Sequence, residues 1–309
     1  MTTENKPLEK VNHMIRNSIM LKLLVITTLM LLLLIPASMI NSIIQSREQK
    51  NNEAIAEVSD KWADAQEING PILSVPLIYE YEKDGKLIRS TKNLQILPKS
   101  LSINGEVEPE KLRRGIYEIV VYKSDLHLAG EFDLDLDIDS TNLKEIQFHN
   151  AFVTIGISDL RGIKNIIKFK WGQEDLEVEP GSKLSKIIYS GIHVKIPHLQ
   201  KQWGANSKFQ FNLDLQGSRN LSFIPLGSNT DVSLNSSWNS PSFNGSFLPD
   251  EREISNSGFT ASWKILQLNR NFPESWIGDF NAKTLQEASF GLDLLVPLDD
   301  YQKSLRSSK

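Results

Sequence analysis

The run KFQFNLDLQ, residues 208–216, sets Phe209, Phe211, Leu213 and Leu215 on one side of an extended chain and Gln210, Asn212, Asp214 and Gln216 on the other. Successive side chains of a strand point to opposite faces, so this stretch predicts a β-strand with one buried and one wet face. Working outward, the same alternation recurs at 116–122, 127–138, 151–157, 186–196, 231–238, 258–266 and 290–296. Residues 73–82 and 86–97 flank Asp84 and Gly85, a dipeptide that supplies the positive φ angles of a tight turn, and should pair as a hairpin. Many short strands, punctuated by Gly, Pro, Asn and Ser and with few helical patterns between them, predict a mainly β fold. Its expected form is an antiparallel sandwich or barrel over residues 70–300, with one long sandwich or two stacked ones as the leading form.

N-terminal to this region the pattern changes. Residues 23–45, LLVITTLMLLLLIPASMINSIIQ, contain no formal charge, and at the helical rise they cover roughly the 30 Å hydrocarbon core of a bilayer. The expectation is a single membrane-spanning helix over 19–45, represented by Leu23, Leu33, Pro36 and Ile44. A cleaved secretory signal has a shorter apolar stretch, about 7 to 15 residues, and Pro36, Ala37 and Ser38 make a poor cleavage sequence. Pro36 is tolerable inside a bilayer helix. Lys6, Lys10, Arg16 and Lys22 precede the span, against Arg47, Lys50 and Lys61 after it, which favours a cytoplasmic tail at 1–18. Beyond the span, Ile55, Val58, Trp62 and Ala65 recur at helical spacing. They predict a helix over 46–69, either a stalk or a helix packed on the β-region, stopped by Gly70 and Pro71.

Charge and composition exclude several functions. Residues 1–45 carry four of the 34 basic and two of the 38 acidic residues, so the remainder holds 30 against 36 and is mildly acidic. Such a domain gains nothing from phosphate neutralisation, and nucleic acid is not an expected partner. There is no cysteine, which excludes disulfides, thiolate nucleophiles and Cys-ligated zinc.

The constellations that could carry chemistry are sparse. Glu131, Asp133, Asp135, Asp137 and Asp139 alternate with apolar residues. A calcium loop would need a Gly where Ile138 stands, so a solvated strand face is the preferred reading. Of five histidines, His193 and His198 are near neighbours, but no zinc-protease helix, nucleophile elbow, P-loop or dinucleotide fingerprint is present. Asp159, Leu160, Arg161 and Gly162 place an acid, a base and a glycine in one turn. Asp159 and Arg161, with Arg252, form the candidate polar site, against the plainer reading of a strand exit with a local ion pair. Residues 239–245 read as a long loop between aromatics, and Asn220, Asn235 and Asn244 open short N-x-S/T triplets. No catalytic residue, cofactor or metal is expected.

Taken in order, Gly70-Pro71 with Val75-Pro76, residues 113–117, 157–163 and 190–197, Leu226-Gly227, and residues 237–249, 258–263 and 290–302 resemble the CreD family of inner-membrane, cell-envelope integrity proteins. The most specific run is Trp238, Pro241, Ser242, Phe243, Gly245, Phe247, Leu248, Pro249 and Arg252. The resemblance implies a Gram-negative inner-membrane protein with an N-terminal anchor, a large periplasmic domain and further membrane helices after Asp300, Tyr301 and Gln302. On that basis 301–309 would be the lead-in to those helices, in a truncated chain. The family is associated with envelope integrity, altered colicin tolerance and a regulon that responds to envelope or β-lactam stress. It has no assigned reaction.

The expectation is therefore a non-enzymatic domain, anchored in a lipid bilayer, that binds a periplasmic protein or peptidoglycan. The alternatives are an enzyme acting on envelope glycans or lipids, with Asp159 or other acids as general acid or base, and a stress sensor that signals through the further helices.

Overall fold

The computed structural model describes residues 19–83 and 85–295. The expected tail at 1–18, Asp84 of the hairpin turn, and residues 296–309 lie outside the described residues. The chain divides into two compact units, 1–55 and 56–309.

Helix α1, Ile19–Trp62, runs through the first unit and into the second. It is long and apolar enough to cross a membrane, and none of its most apolar stretch is buried against protein. Leu23 and Leu33 are 58% and 69% exposed, which in water would forfeit the transfer free energy that makes such side chains core residues. Two hydroxyls in the span turn back onto the helix: Thr28 donates to the Leu24 carbonyl (2.8 Å) and Ser38 to that of Ile35 (2.7 Å).

The second unit is mainly β. In chain order its strands are β1 Gln66–Lys83, β2 Lys86–Ile96, β3 Ser100–Arg114, β4 Tyr117–Asp133, β5 Leu143–Ile146 and β6 Phe152–Ile157. Then come β7 Phe169–Trp171, β8 Glu174–Leu176, β9 Val178–Pro180, β10 Gly191–Lys195, β11 Asn206–Ser218 and β12 Asn220–Phe223. The last are β13 Asn229–Ser236, β14 Pro241–Gly245, β15 Glu251–Ser255, β16 Gly258–Leu266, β17 Ser275–Ile277 and β18 Phe290–Leu294. Two short helices, α2 Leu199–Gln202 and α3 Ala282–Gln286, connect them.

The strands form two sheets. One is ordered β14-β18-β12-β1-β6-β10-β9, with β2 and β5 also on β1 and β17 on β2; the other runs β15-β16-β13-β3-β4-β11-β7-β8. A core common to both fills the space between them, with Leu73, Val153, Val194 and Leu292 from the first sheet and Ile103, Leu128, Phe211 and Trp263 from the second. This is the expected sandwich. Most ladders are antiparallel, but β1–β12 and β3–β13 are parallel. A second cluster, including Ile72, Phe152, Ile188, Leu226 and Leu285, buries further residues of the first sheet under the 184–188 turn and α3.

The hairpin of β1 and β2 has the register the alternation implies, from Leu73 opposite Ile96 to Lys83 opposite Lys86, with Gly85 at φ 71°. The helix preceding it ends earlier than the sequence suggests. α1 stops at Trp62, and Gln66 already begins β1, which continues through Gly70 and Pro71 with a register shift against β6 between Asn69 and Ile72. Proline has no ladder donor, so it sits at this irregularity instead of ending a helix. The runs 116–122 and 127–138 are largely one strand, β4, which ends at Asp133. Beyond it the acidic run leaves the ladder. Leu134 is fully buried, while Asp133 accepts from Lys99 Nζ (2.8 Å) and Asp139 from the Thr141 amide (2.9 Å). Of residues 186–196, only Gly191–Lys195 is strand.

Candidate functional site

Asp159 and Arg161 are brought together, and their partners come from the end of α1. Arg161 Nη2 lies 2.7 Å from Asp159 Oδ2 and 3.4 Å from Asp64 Oδ2, while Nη1 donates to the Asp60 carbonyl at 2.9 Å. The Asp64 amide donates to Asp159 Oδ2 at 3.0 Å. Asp159 also caps the short turn Leu160–Gly162 through the Arg161 amide. Below this cluster the buried Gln66 amide donates to the carbonyls of Asp159 (3.0 Å) and Gln216 (2.9 Å), and accepts from the Asp159 amide. The Arg161 guanidinium beside it holds the Asp159 carboxyl at about 2.

The same contacts continue up the last turn of the helix. Ser59 and Ser218 share a buried hydroxyl hydrogen bond (2.8 Å), and the Trp62 indole donates to the Tyr122 carbonyl at 3.4 Å. The buried Tyr122 hydroxyl, pushed well up by its surroundings, donates to the Asn220 carbonyl at 2.7 Å. Arg114, at the turn end of β3, forks onto Glu57 through Nε (2.8 Å) and Nη2 (2.6 Å). Residues 56–62 are thus a helix packed on the β-region, one of the two readings open from sequence. The predicted polar site is the joint that seats this helix: its polar groups are already satisfied by one another.

Arg252 is elsewhere. It lies in β15, the edge strand of the second sheet, opposite Ala261, and its side chain is exposed, with no hydrogen-bond partner among the described residues. The charges of Glu251, Arg252 and Glu253 along this edge suit a strand guarded against pairing with other chains. His193 is buried. Its Nδ1 donates to the Gly181 carbonyl at 2.7 Å, and Nε2 lies 3.5 Å from Glu179 Oε2. His198 is the residue before α2, and no cluster of three or more metal-ligating side chains occurs among the described residues.

An open groove of about 440 Å³ lies beside β5, between that strand and α2. Its lining is Glu145, Ile146, Phe148, His149, Pro197 and Gln200. β5 pairs with β1 along one side, and among the described residues no strand pairs with its other edge. Phe148 is fixed by an edge-on contact with Trp203, centroids 5.0 Å apart. The Gln147 amide bonds the Pro76 carbonyl at 2.8 Å, which anchors the wall to β1. This groove is not legible in the sequence, because its residues come from two short segments about 50 positions apart, with only isolated polar side chains in each.

A helix of bilayer length leading into a two-sheet β-unit defines a membrane-anchored β-sandwich protein. A family model described as inner membrane protein CreD matches residues 18–309, and the chain belongs to the CreD family. Inner membrane protein CreD of Escherichia coli (strain K12) is 30% identical over 284 residues, which are 90% of this chain and 62% of that protein. The chain thus spans less than two thirds of that relative's length. Among solved structures, an M1 zinc metallopeptidase from Deinococcus radiodurans covers 55% of this chain and 39% of its own, at 10% identity and a TM-score of 0.24. That likeness carries no argument about fold or chemistry.

Proposed function

We propose that this chain holds its β-unit on the periplasmic side of the inner membrane, with the N-terminus in the cytoplasm, and contributes to envelope integrity and the envelope stress response by binding and not by catalysis. The observation that carries the binding reading is the groove beside β5. Ile146, Phe148 and Pro197 in its lining offer apolar contact, and Glu145, His149 and Gln200 offer donors and acceptors. The edge of β5 that no described strand pairs could add backbone donors and acceptors. Such a combination suits an extended peptide or a glycan strand, consistent with a periplasmic protein or peptidoglycan as the partner.

The test is co-sedimentation of the detergent-solubilised chain with peptidoglycan sacculi, alongside capture from a periplasmic extract. Wild type should retain a partner in one of the two, and Gln200→Ala with Glu145→Lys should lower retention at least several-fold. Retention equal to background for wild type, or unchanged by these two substitutions, would remove the binding reading.

A further inference from the structure

Between Pro36 and Gln45 the polar side chains of α1 are Ser38, Asn41, Ser42 and Gln45, and the remaining residues are Ala37, Met39, Ile40, Ile43 and Ile44. The spacing i, i+3, i+4, i+7 places all four polar residues on one face of the helix and leaves the other faces apolar. Ser38 is satisfied by the Ile35 carbonyl at 2.7 Å. Asn41 and Gln45 are exposed, and neither amide has a hydrogen-bond partner among the described residues.

In a bilayer this face is unfavourable to leave against lipid, because hydrocarbon offers an amide neither donor nor acceptor. A carboxamide both donates and accepts, so the face is complementary to itself: two copies related by a two-fold axis can join Asn41 to Asn41 and Gln45 to Gln45 at matched depth. Ser38 and Ala37 are small enough to let the two backbones approach. We infer that the Ser38-Asn41-Ser42-Gln45 face is a docking surface for the same face of a second copy of this chain, pairing the membrane helices through their amides.

The chain has no native cysteine, so single-cysteine crosslinking has no background. The full chain would be examined in native inner membranes with an oxidant, as Ser38→Cys, Ser42→Cys and Gln45→Cys on the polar face and Met39→Cys, Ile40→Cys and Ile43→Cys on the others. The expected result is a band of twice the chain mass from the first three and little from the second three. Asn41→Val, added to Ser38→Cys, should lower that band roughly three- to thirty-fold, the range spanned by measured interhelical polar contacts. Equal crosslinking on all faces, indifference to Asn41→Val, or an adduct of a different mass would overturn the second-copy assignment. Recovery of the chain outside the membrane fraction would instead overturn the bilayer reading beneath it.

Discussion

Ser59, in the last turns of the long helix, and Ser218, at the end of β11, share a hydroxyl–hydroxyl hydrogen bond of 2.8 Å across 159 residues of sequence, with both side chains buried. Either serine alone would leave a hydroxyl shut away from water. Ser59→Ala and Ser218→Ala should each lower stability by about 1 kcal/mol, and the double variant should cost clearly less than the sum. Urea unfolding of the solubilised chain, followed by tryptophan fluorescence, measures this. Additive costs would mean that the two hydroxyls do not depend on one another.

Asp159 makes the same joint sensitive to acid. Its carboxyl is held at about 2 in the fold, against 3.8 without its partners, so the stabilisation is complete above 3.8 and is lost as the pH falls toward 2. Asp159→Asn should cost roughly 1 kcal/mol at pH 7, in the range of solvent-screened pairs. The gap to wild type should close between pH 4 and pH 2. A gap that persists at pH 2 would show that the effect is not ionic.

Glu67 titrates in the opposite sense. It is half-buried beside Ser289, which donates at 2.9 Å, and burial raises its carboxyl above the ordinary 4.5. A raised acid makes the fold less stable as pH rises through that region, so Glu67→Gln should be more stable than wild type at pH 7 and equal to it below about pH 4. Unfolding at the two pH values decides it; loss of stability at pH 7 would contradict the assignment.

Gly130, near the C-terminal end of β4, has no room for a side chain: a Cβ there would lie 2.1 Å from the Ser100 carbonyl and 2.7 Å from the Phe209 ring. Backbone on one side and a packed aromatic on the other leave little to relax. Gly130→Ala should therefore destabilise by about 2 kcal/mol or more, read as a lower thermal midpoint. A neutral effect would show that β3 and β4 can move apart there.

The strands with unbroken alternation were legible in the sequence. The run 208–216 lies inside β11, and residues 258–266 are β16 from end to end. β3 was not legible, although it lies between β13 and β4 in the second sheet. Its inward positions run Leu101, Ile103, Gly105, Val107, and the glycine breaks the apolar pattern because the Leu126 side chain fills that space, 2.4 Å from where its Cβ would be. The parallel pairings of β1 with β12 and β3 with β13 are long-range choices that strand spacing does not encode. Asp159 and Arg161 stood out correctly as a pair. Their partners Asp60, Asp64 and Gln66 lie more than 90 residues away, and only the fold reveals that the cluster seats a helix.

The side of the membrane on which the β-unit lies can be read directly at one residue. Tyr189 is 95% exposed and the chain has no other cysteine to compete, so Tyr189→Cys can be labelled with a membrane-impermeant maleimide in intact spheroplasts and again after lysis. A periplasmic β-unit predicts the same labelling before and after lysis. Labelling that appears only once the membrane is broken would place the domain in the cytoplasm and rule out the periplasmic position.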